Sequence, residues 1–227
     1  MDVDLIYILN DDAGKDSLHV RGEQHRYLVK ARRQEVGDII CFRNTEHIQT
    51  LYEYEVSDID ARSISFTLVG AKTQEVKSQK ELHIAWCVID AHSIEKVLPS
   101  LSEIGVSRIS FIYCDRSQGK IKLDFKRFER LMEASMQQSG RSSKMEFDTY
   151  KNIKSFVDEF SDVKVFDFCE NLLPTDTYCS RVLVGCEGGF SDDEREFLKK
   201  QDCFRLDTPM VLRSESAVMA IASKVLL

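Results

Sequence analysis

The residues most suited to ligand chemistry lie near the end of the chain, where an apolar run enters a glycine-rich turn. Val182–Val184 is followed by Gly185, Gly188 and Gly189. Glycine lacks a Cβ, so the backbone there can approach a ligand closely. The spacing fits neither a G-x-G-x-x-G fingerprint nor a P-loop. From the residues alone, two interpretations stay open: a ligand-binding loop, or an ordinary tight turn between a strand and a helix.

A second polar loop runs from Leu206 to Ala217 and contains Pro209. Arg213 and Glu215 fall where the last helix is predicted to begin, beside backbone N–H groups that lack a helical partner. The two charges could act on a ligand, or they could form a surface ion pair that holds the loop.

The elements that must position these loops alternate between strands and helices. Apolar runs typical of strands buried on both faces cover residues 82–89, 108–114, 163–169, 181–185 and 203–206. Predicted helices follow Ser93, Asp124 and Ser191, and the last runs from about Ser214 to Leu227. Pro99 predicts a kink or a later start in the first helix, and Gly105 predicts its end. Ser191 and Glu194 fit a capping box. This alternation predicts a mainly parallel sheet.

The first part of the chain has the period-2 pattern of a small β-barrel. Polar and apolar residues alternate in 51–56 and 63–68, and further apolar runs cover 5–9 and 38–42. One short basic helix is predicted at Glu23–Arg33. A polar stretch at 71–80 lacks apolar periodicity. We therefore predict a β-barrel domain at 1–72 and an α/β domain at 80–227.

Composition excludes several classes of protein. The 227 residues include 43% hydrophobic and 30% charged residues, with three prolines and ten glycines, which excludes collagen-like and disordered chains. The apolar runs are too short to span a membrane, and no signal peptide is visible. The seven cysteines include no C-x-x-C pair, so we expect neither a zinc site nor a redox dithiol. Free thiols at this density are typical of the cytoplasm.

The two C-terminal segments together resemble the paired motifs of the RsmE family, the 16S rRNA uridine-N3 methyltransferases of the SPOUT superfamily. Further similar segments are Ser102–Val106, Cys114–Ser117, Gln138–Arg141 and His25–Asp38. The chain departs from the family pattern at several positions. Cys186 stands in place of the usual proline, Pro99-Ser100 in place of a Gln-Lys pair, and Ala31, Asp115 and Ser216 in place of Leu, Glu and Thr.

The resemblance implies an α+β two-domain protein, with an N-terminal PUA-like β-barrel and a SPOUT α/β domain that ends in a trefoil knot. It implies S-adenosyl-L-methionine as cofactor, with no metal. The partners implied are 16S rRNA or the assembled small ribosomal subunit, and a second copy of the chain packed through the knotted region. The cofactor-binding residues implied are Cys169, Glu170, Gly185, Glu187, Gly188, Gly189, Leu206, Met210, Val211, Leu212, Ser216 and Ala217.

Catalysis on this substrate requires removal of the N3 proton of uridine and stabilisation of the charge that develops on O2 or O4. Arg213 and Arg116 are the candidates for charge stabilisation. Glu215 is a candidate to orient Arg213 or to accept the proton.

A net charge of -7 is unusual for an RNA-binding protein, but the charge is unevenly distributed. Eight basic residues against three acidic ones give residues 116–144 a charge of +5, and six against three give residues 21–43 a charge of +3. We expect RNA phosphates to meet these two stretches. The predicted RNA-binding residues are Arg21, His25, Arg26, Arg32, Arg33, Lys120, Gln138 and Arg141.

Three alternatives stay open at this point. The protein could be a SPOUT enzyme that acts on ribose 2′-oxygen or on tRNA. It could be a non-catalytic RNA-binding protein of the same fold. It could be a generic nucleotide-binding α/β protein, which would bind ATP or NAD.

Overall fold

The computed structural model describes residues 6–117, 121–174 and 178–227, and the chain divides into two compact units. One unit comprises Met1–Lys77 together with Met136–Ser143. The other comprises Ser78–Ser135 and Lys144–Leu227. The sequence pattern does not separate 136–143 from the second unit, because residues 136–139 are the last four of the helix Phe125–Ser139, which begins in that unit.

The first unit is built on a five-stranded sheet of order β1-β3-β4-β5-β2, in which only the β1–β3 pair is parallel. The strands are β1 (Ile8–Leu9), β2 (Ser17–Arg21), β3 (Ile39–Arg43), β4 (Thr50–Ile59) and β5 (Ser63–Thr73). The alternating residues of β4 and β5 bury one face, where Phe42 packs edge-on against Tyr54 and Phe66. β2 is a short strand that was not predicted.

The helix predicted at 23–33 is two shorter pieces. Helix α1 (Gly22–Arg26) passes directly into a π-helical turn at Tyr27–Ala31. Arg33 then adopts a left-handed backbone with φ of 55°. The prediction of one regular helix was therefore wrong.

The second unit contains a six-stranded sheet of order β11-β9-β10-β6-β7-β8 in which every pair is parallel, as predicted. The strands are β6 (His83–Cys87), β7 (Arg108–Ile112), β8 (Glu146–Tyr150), β9 (Lys164–Phe166), β10 (Arg181–Val184) and β11 (Cys203–Phe204). The helices are α2 (Ala91–Ile104), α3 (Phe125–Ser139), α4 (Ile153–Glu159), α5 (Asp192–Leu198) and α6 (Ser214–Leu226). β8 and α4 were not predicted, because β8 is a half-exposed edge strand without an apolar run.

The predicted helix ends are partly confirmed. Asp124 accepts from the Arg127 backbone N–H at 3.0 Å, and Ser191 and Glu194 form the capping box that opens α5. Gly105 ends α2 with φ of 108°. At the start of α2 the cap is Asp90, which accepts from the backbone N–H of Ser93, so the prediction of Ser93 as the cap was wrong.

One buried titratable group makes the second unit sensitive to acid. Burial and the charge of Arg108 lower the pKa of His83 from 6.5 to about 4. The unfolded state therefore binds more protons than the folded state between these two pH values, so the fold loses stability as pH falls through this window. We expect His83→Gln to reduce this loss, measured by urea unfolding at pH 7, 5.5 and 4.5. An unchanged pH dependence would contradict the assignment; His92→Gln, at an exposed histidine, is the matched control.

No helix within the described ranges is both long enough and apolar enough to cross a membrane.

Candidate functional site

A cavity of about 630 Å³ opens at the carboxyl ends of three adjacent parallel strands. Phe166, Val184 and Phe204 are the last residues of β9, β10 and β11, and all three line it. This edge is where open parallel sheets bind ligands. The remaining lining comes from residues 167–168, from most of segments 185–190 and 205–214, and from the first turns of α6.

The turn at 185–189 is shaped by its glycines. Gly189 has φ of 66°, a conformation that side chains rarely adopt, and its N–H donates to the Cys186 carbonyl at 2.9 Å. A Cβ on Gly185 would lie 3.3 Å from the Gly189 Cα. The backbone therefore folds tightly on itself here: a side chain at Gly189 would be strained by the backbone conformation, and one at Gly185 would require the turn to shift by a few tenths of an ångström.

Ser214 joins the two loops that face each other across the cavity. Its hydroxyl donates to the Gly185 carbonyl at 2.6 Å and accepts from the Trp86 indole N–H at 2.8 Å. Ser214 and Trp86 are both buried. The start of α6 is thus tied to the 185–189 turn and to the centre of the sheet.

The walls of the cavity combine one ion pair with exposed apolar side chains. Asp167 accepts from Arg195 of α5 at 2.8 Å. Phe168, Met210 and Val211 are 75%, 66% and 77% exposed although they line the cavity. An apolar ligand group bound there would cover surface that is now in contact with water.

Most of the predicted cofactor-binding residues line this cavity. Those that do are Gly185, Glu187, Gly189, Leu206, Met210, Val211, Leu212 and Ala217. The structure does not bring the other four to it. The chain has left the cavity by Cys169 and Glu170, Gly188 packs against Arg116 on the outside of the turn, and Ser216 lines a second cavity.

The sequence interpretation missed several lining residues, among them Phe166, Asp167, Phe168, Phe204 and Arg205. Their positions carried a usable signal. All five lie within the predicted strands at 163–169 and 203–206; the observed strands β9 and β11 end earlier, at Phe166 and Phe204, so these residues stand at or just after strand ends that meet at one edge of the sheet.

Of the three predicted catalytic residues, only Arg213 lines the cavity. Glu215 lines the second cavity, which Arg213 also borders. Among the described residues, no ion pair within 4.0 Å joins Arg213 to Glu215. The expectation that Glu215 orients Arg213 is therefore not supported, and neither is the alternative of an ion pair that holds the loop.

Arg116 lies outside the cavity and contacts the 185–189 turn on the side that faces away from it. Its Nη1 donates to the Gly188 carbonyl at 2.7 Å. The neighbouring Asp115 N–H donates to Glu194 at 2.9 Å, and the Asp115 carboxylate accepts from the Ser191 hydroxyl at 2.6 Å. Segment 115–116 thus braces the turn and the start of α5, and the structure does not place Arg116 among the residues that line the cavity, so its catalytic role stays a prediction.

Replacement of Arg116 tests this bracing role. We expect Arg116→Ala to weaken binding of S-adenosylmethionine, the cofactor that the resemblance implies, about tenfold, because one charge-assisted hydrogen bond to the turn is lost. The rate at saturating cofactor should change little. Calorimetric titration and steady-state kinetics separate the two effects, and Arg116→Lys should restore part of the affinity. A fall in the saturated rate with normal affinity would instead return Arg116 to the reacting centre.

The predicted RNA-binding residues are divided between surface and interior. Arg21, Arg26, Arg32, Arg33 and Gln138 are exposed. His25 is buried, with Nε2 3.1 Å from the Asp60 carbonyl oxygen, and Arg141 is buried with Nε donating to the Ser143 carbonyl. These two side chains are buried and hydrogen-bonded inside the first unit, and their assignment as RNA contacts stays a prediction. Lys120 lies outside the described residues.

Arg43, one of the charges counted in the 21–43 stretch, is also internal. It is fully buried, and its guanidinium donates to the Ile48 and Gln74 carbonyls and lies over the Tyr7 ring. Burial lowers its pKa. The exposed basic surface of this stretch is therefore confined to residues 21–33.

The cysteines are all free thiols. Cys186 lines the cavity wall, and its Sγ lies 3.7 Å from that of Cys114. The hydrogen bond with Cys114, together with burial, raises the pKa of the Cys186 thiol. Within the described part of the chain, no group of three or more His, Cys, Asp or Glu residues could hold a metal ion.

The parallel sheet and its strand-end cavity are the framework to which the comparisons with known proteins add a class. Residues 76–226 match the family model described as an RNA methyltransferase domain, so the catalytic unit is that of an RNA methyltransferase. More particularly, the chain belongs to the family of ribosomal RNA small subunit methyltransferase E. It is 34% identical to the protein of that name from Helicobacter pylori over 221 residues, which cover 96% of this chain and 97% of the relative.

Solved structures show the same fold. A methyltransferase from Legionella pneumophila, in complex with bound S-adenosylmethionine, superposes with a TM-score of 0.75 at 19% identity, covering 97% of this chain and 95% of that one. Ribosomal RNA small subunit methyltransferase E from Neisseria gonorrhoeae, also bound to S-adenosylmethionine, gives 0.73 at 15% identity, covering 96% and 95%.

Proposed function

We propose that this protein transfers a methyl group from S-adenosyl-L-methionine to N3 of a uridine in 16S rRNA of the small ribosomal subunit. The observation that carries the proposal is the strand-end cavity, with its tight glycine turn on one side and Arg213 at its rim, in a chain of the RNA methyltransferase family. The proteins that share its fold include two that bind this cofactor.

The cavity fits S-adenosylmethionine in size and chemistry. A volume of about 630 Å³ lies in the range of small-molecule sites. The exposed ring of Phe168 and the exposed apolar side chains of Met210 and Val211 could pack against an adenine. The backbone N–H and C=O groups of the loop at 206–212 could form hydrogen bonds with it. When bound, the cofactor supplies a methyl group on a sulfonium, so the reaction needs no metal to activate the leaving group.

The chain's own residues then have two tasks. Arg213 stabilises negative charge on a uracil oxygen as the N3 proton leaves, because its guanidinium forms no ion pair with a described residue and can turn toward the substrate. Glu215 accepts that proton. The 185–189 turn and Ser214 hold the facing loops in place, so that the two substrates are oriented before reaction.

The finer architecture belongs to the same proposal. The first unit would be a PUA-like barrel at 1–72 that binds RNA through residues 21–33. The second unit would contain a trefoil knot. Two contacts support it: β11 pairs with β9, and Ser214, after the loop that follows β11, donates a hydrogen bond to the Gly185 carbonyl. We further propose that two copies pack through this region and that the enzyme acts in the cytoplasm.

Methyl transfer onto unmodified small ribosomal subunits tests the function. We expect methylation of the 16S rRNA, with 3-methyluridine as the product nucleoside identified by mass. Naked 16S rRNA in parallel shows which form is the substrate. A ribose-methylated product, or labelled tRNA in place of rRNA, would redirect the proposal to another SPOUT activity. No cofactor binding at millimolar concentration would favour a non-catalytic RNA-binding protein.

A further inference from the structure

Two cysteine thiols meet at the glycine turn of the strand-end cavity. The sequence has no C-x-x-C pair, but the fold brings Cys114 and Cys186 together across 72 positions, with their sulfur atoms 3.7 Å apart. Cys186 belongs to the turn at 185–189 and forms part of the cavity wall, whereas Cys114 follows β7 and does not line the cavity. A pair of thiols therefore links the ligand-binding turn to the neighbouring strand.

Cys114 is anchored to the sheet, whereas Cys186 belongs to a tight turn. Strand β7 pairs with β6 on one side and β8 on the other, and the Cys114 backbone N–H donates to the carbonyl of its last residue, Ile112, at 3.1 Å. The Gly189 N–H closes the turn by donating to the Cys186 carbonyl, and the Cys186 Sγ lies 3.5 Å from the Gly189 carbonyl oxygen. If the two sulfurs approach each other, Cys186 and its turn therefore move more than Cys114 does.

The surroundings of Cys114 favour its thiolate, which is the form that reacts with oxidants. Hydrogen bonds from Cys186 and Cys87 lower the pKa of the Cys114 thiol, and the Ser117 hydroxyl oxygen lies 3.2 Å from the same sulfur. Cys186 keeps its proton, because the hydrogen bond with Cys114 raises its pKa. Cys114 is therefore the more nucleophilic thiol, and Cys186 lies beside it. Both residues are buried, so only an oxidant as small as hydrogen peroxide reaches the pair.

We propose that Cys114 and Cys186 form a peroxide-sensitive thiol pair, and that the disulfide between them weakens binding of S-adenosylmethionine. This inference rests on the proposed function and makes its cofactor site dependent on the redox state. A disulfide brings its two sulfurs to about 2 Å, so oxidation draws Cys186 toward Cys114 and displaces the turn at 185–189. Most residues of that turn line the cavity, so a ligand bound there loses contacts with it.

The oxidation balances with hydrogen peroxide as the oxidant. The Cys114 sulfur attacks one peroxide oxygen, an S–O bond forms, the O–O bond breaks, and the hydroxide that leaves takes up the thiol proton to become water. The Cys186 sulfur then attacks the Cys114 sulfur, the S–S bond forms, the S–O bond breaks, and a second water leaves with the Cys186 proton. The two thiols together lose two electrons, and the peroxide is reduced to water.

Peroxide treatment of the purified protein tests the pair. We expect the oxidised protein to lose the mass of two hydrogen atoms, and peptide mapping after alkylation of the remaining thiols to identify a cross-link between Cys114 and Cys186. In calorimetry, the oxidised protein should bind S-adenosylmethionine about tenfold more weakly than the reduced protein. Dithiothreitol should restore both the mass and the affinity, because it reduces the disulfide by thiol–disulfide exchange.

Two serine variants separate this pair from the other thiols. Cys114→Ser removes one partner, so its affinity for S-adenosylmethionine should be the same before and after peroxide. Cys203→Ser is the matched control, at a partly buried cysteine of β11 that lines neither cavity, and it should remain as sensitive to peroxide as the wild-type protein. Urea unfolding establishes that both variants are folded, and the cross-link mapped in the wild-type protein requires no substitution.

Four results would overturn the inference. Peroxide could leave Cys114 and Cys186 unlinked, or the cross-link could form without a change in cofactor affinity. Protection by Cys203→Ser in place of Cys114→Ser would assign the effect to another thiol. A loss of affinity that persists after dithiothreitol would indicate a sulfoxide at Met210, an exposed methionine of the cavity.

Failure of the proposed function gives a different result. A reduced protein that binds S-adenosylmethionine but transfers no methyl group to rRNA would contradict that function. The mapped cross-link and the affinities before and after peroxide would still decide for or against the thiol pair.

Discussion

Arg213→Ala is expected to lower the rate of methyl transfer at saturating substrates by about 10²- to 10³-fold, the usual loss when a donor to a developing oxyanion is removed. The substitution should leave the fold intact, because the Arg213 side chain is exposed and takes part in no ion pair with a described residue. We therefore expect a change in unfolding free energy within about 0.5 kcal/mol, as for other surface positions.

Single-turnover kinetics with saturating cofactor and small ribosomal subunits measures this loss directly. Arg213→Lys keeps the charge but loses the planar fork of donors, so it should recover only part of the rate. Cofactor affinity in calorimetry shows whether the effect lies in binding or in reaction. A variant that folds normally and turns over at the wild-type rate would remove Arg213 from the reacting centre.

Local patterns predicted those parts of the fold that depend on neighbouring residues. The nearly continuous apolar run at 82–89, interrupted by His83 alone, predicts a strand buried on both faces, and β6 lies third from one edge of the parallel sheet with every residue buried. Gly105 and the Ser191–Glu194 capping box mark helix ends through contacts only three or four residues long. Local signals fail where a competing residue stands close by, as when Asp90 caps α2 in place of Ser93.

In the candidate site, too, features set by neighbouring residues could be predicted, and those set by distant contacts could not. The glycine turn at 185–189 and the loop at 206–212 could be predicted, because their residue types and the strands before them indicate a ligand site. The roles of individual charges could not be predicted. Arg116 braces Gly188 from outside, His25 and Arg141 are buried, and Glu215 faces a different cavity from the main one. Each of these outcomes depends on a contact between residues far apart in sequence, which no local pattern specifies.

Asp167 is a lining residue of the cavity that the sequence analysis did not select as a candidate site residue. The residue directly follows β9, and a carboxylate at the carboxyl end of a parallel strand is well placed to meet a ligand. Its partner Arg195 lies on α5, 28 residues further along the chain, and the pair joins the strand end to the helix that follows the glycine turn. The predicted strand at 163–169 placed Asp167 inside it, whereas the observed end of β9 at Phe166 and the ion pair both required the three-dimensional structure.

Ser214→Ala is expected to destabilise the second unit by about 2–4 kcal/mol. The substitution leaves the buried Trp86 indole N–H without a partner, at about 1–3 kcal/mol, and removes the hydrogen bond to the half-buried Gly185 carbonyl, at about 0.5–1.5 kcal/mol. Cofactor affinity should fall as well, because Ser214 holds the start of α6 against the glycine turn that lines the cavity. Urea unfolding and calorimetric titration give the two values, and Ser161→Ala is the matched control, at an exposed serine of the second unit that lines neither cavity.

A double-substitution cycle shows whether the loss arises from these hydrogen bonds. Trp86→Phe removes the indole donor, so Ser214→Ala should cost less in that background than in the wild-type protein, and the two changes should be less than additive. Strict additivity would mean that the serine and the indole act independently. The hydroxyl's bond to Gly185 would still be lost in both backgrounds, so the cofactor affinity should remain low in the double variant even where stability is partly recovered.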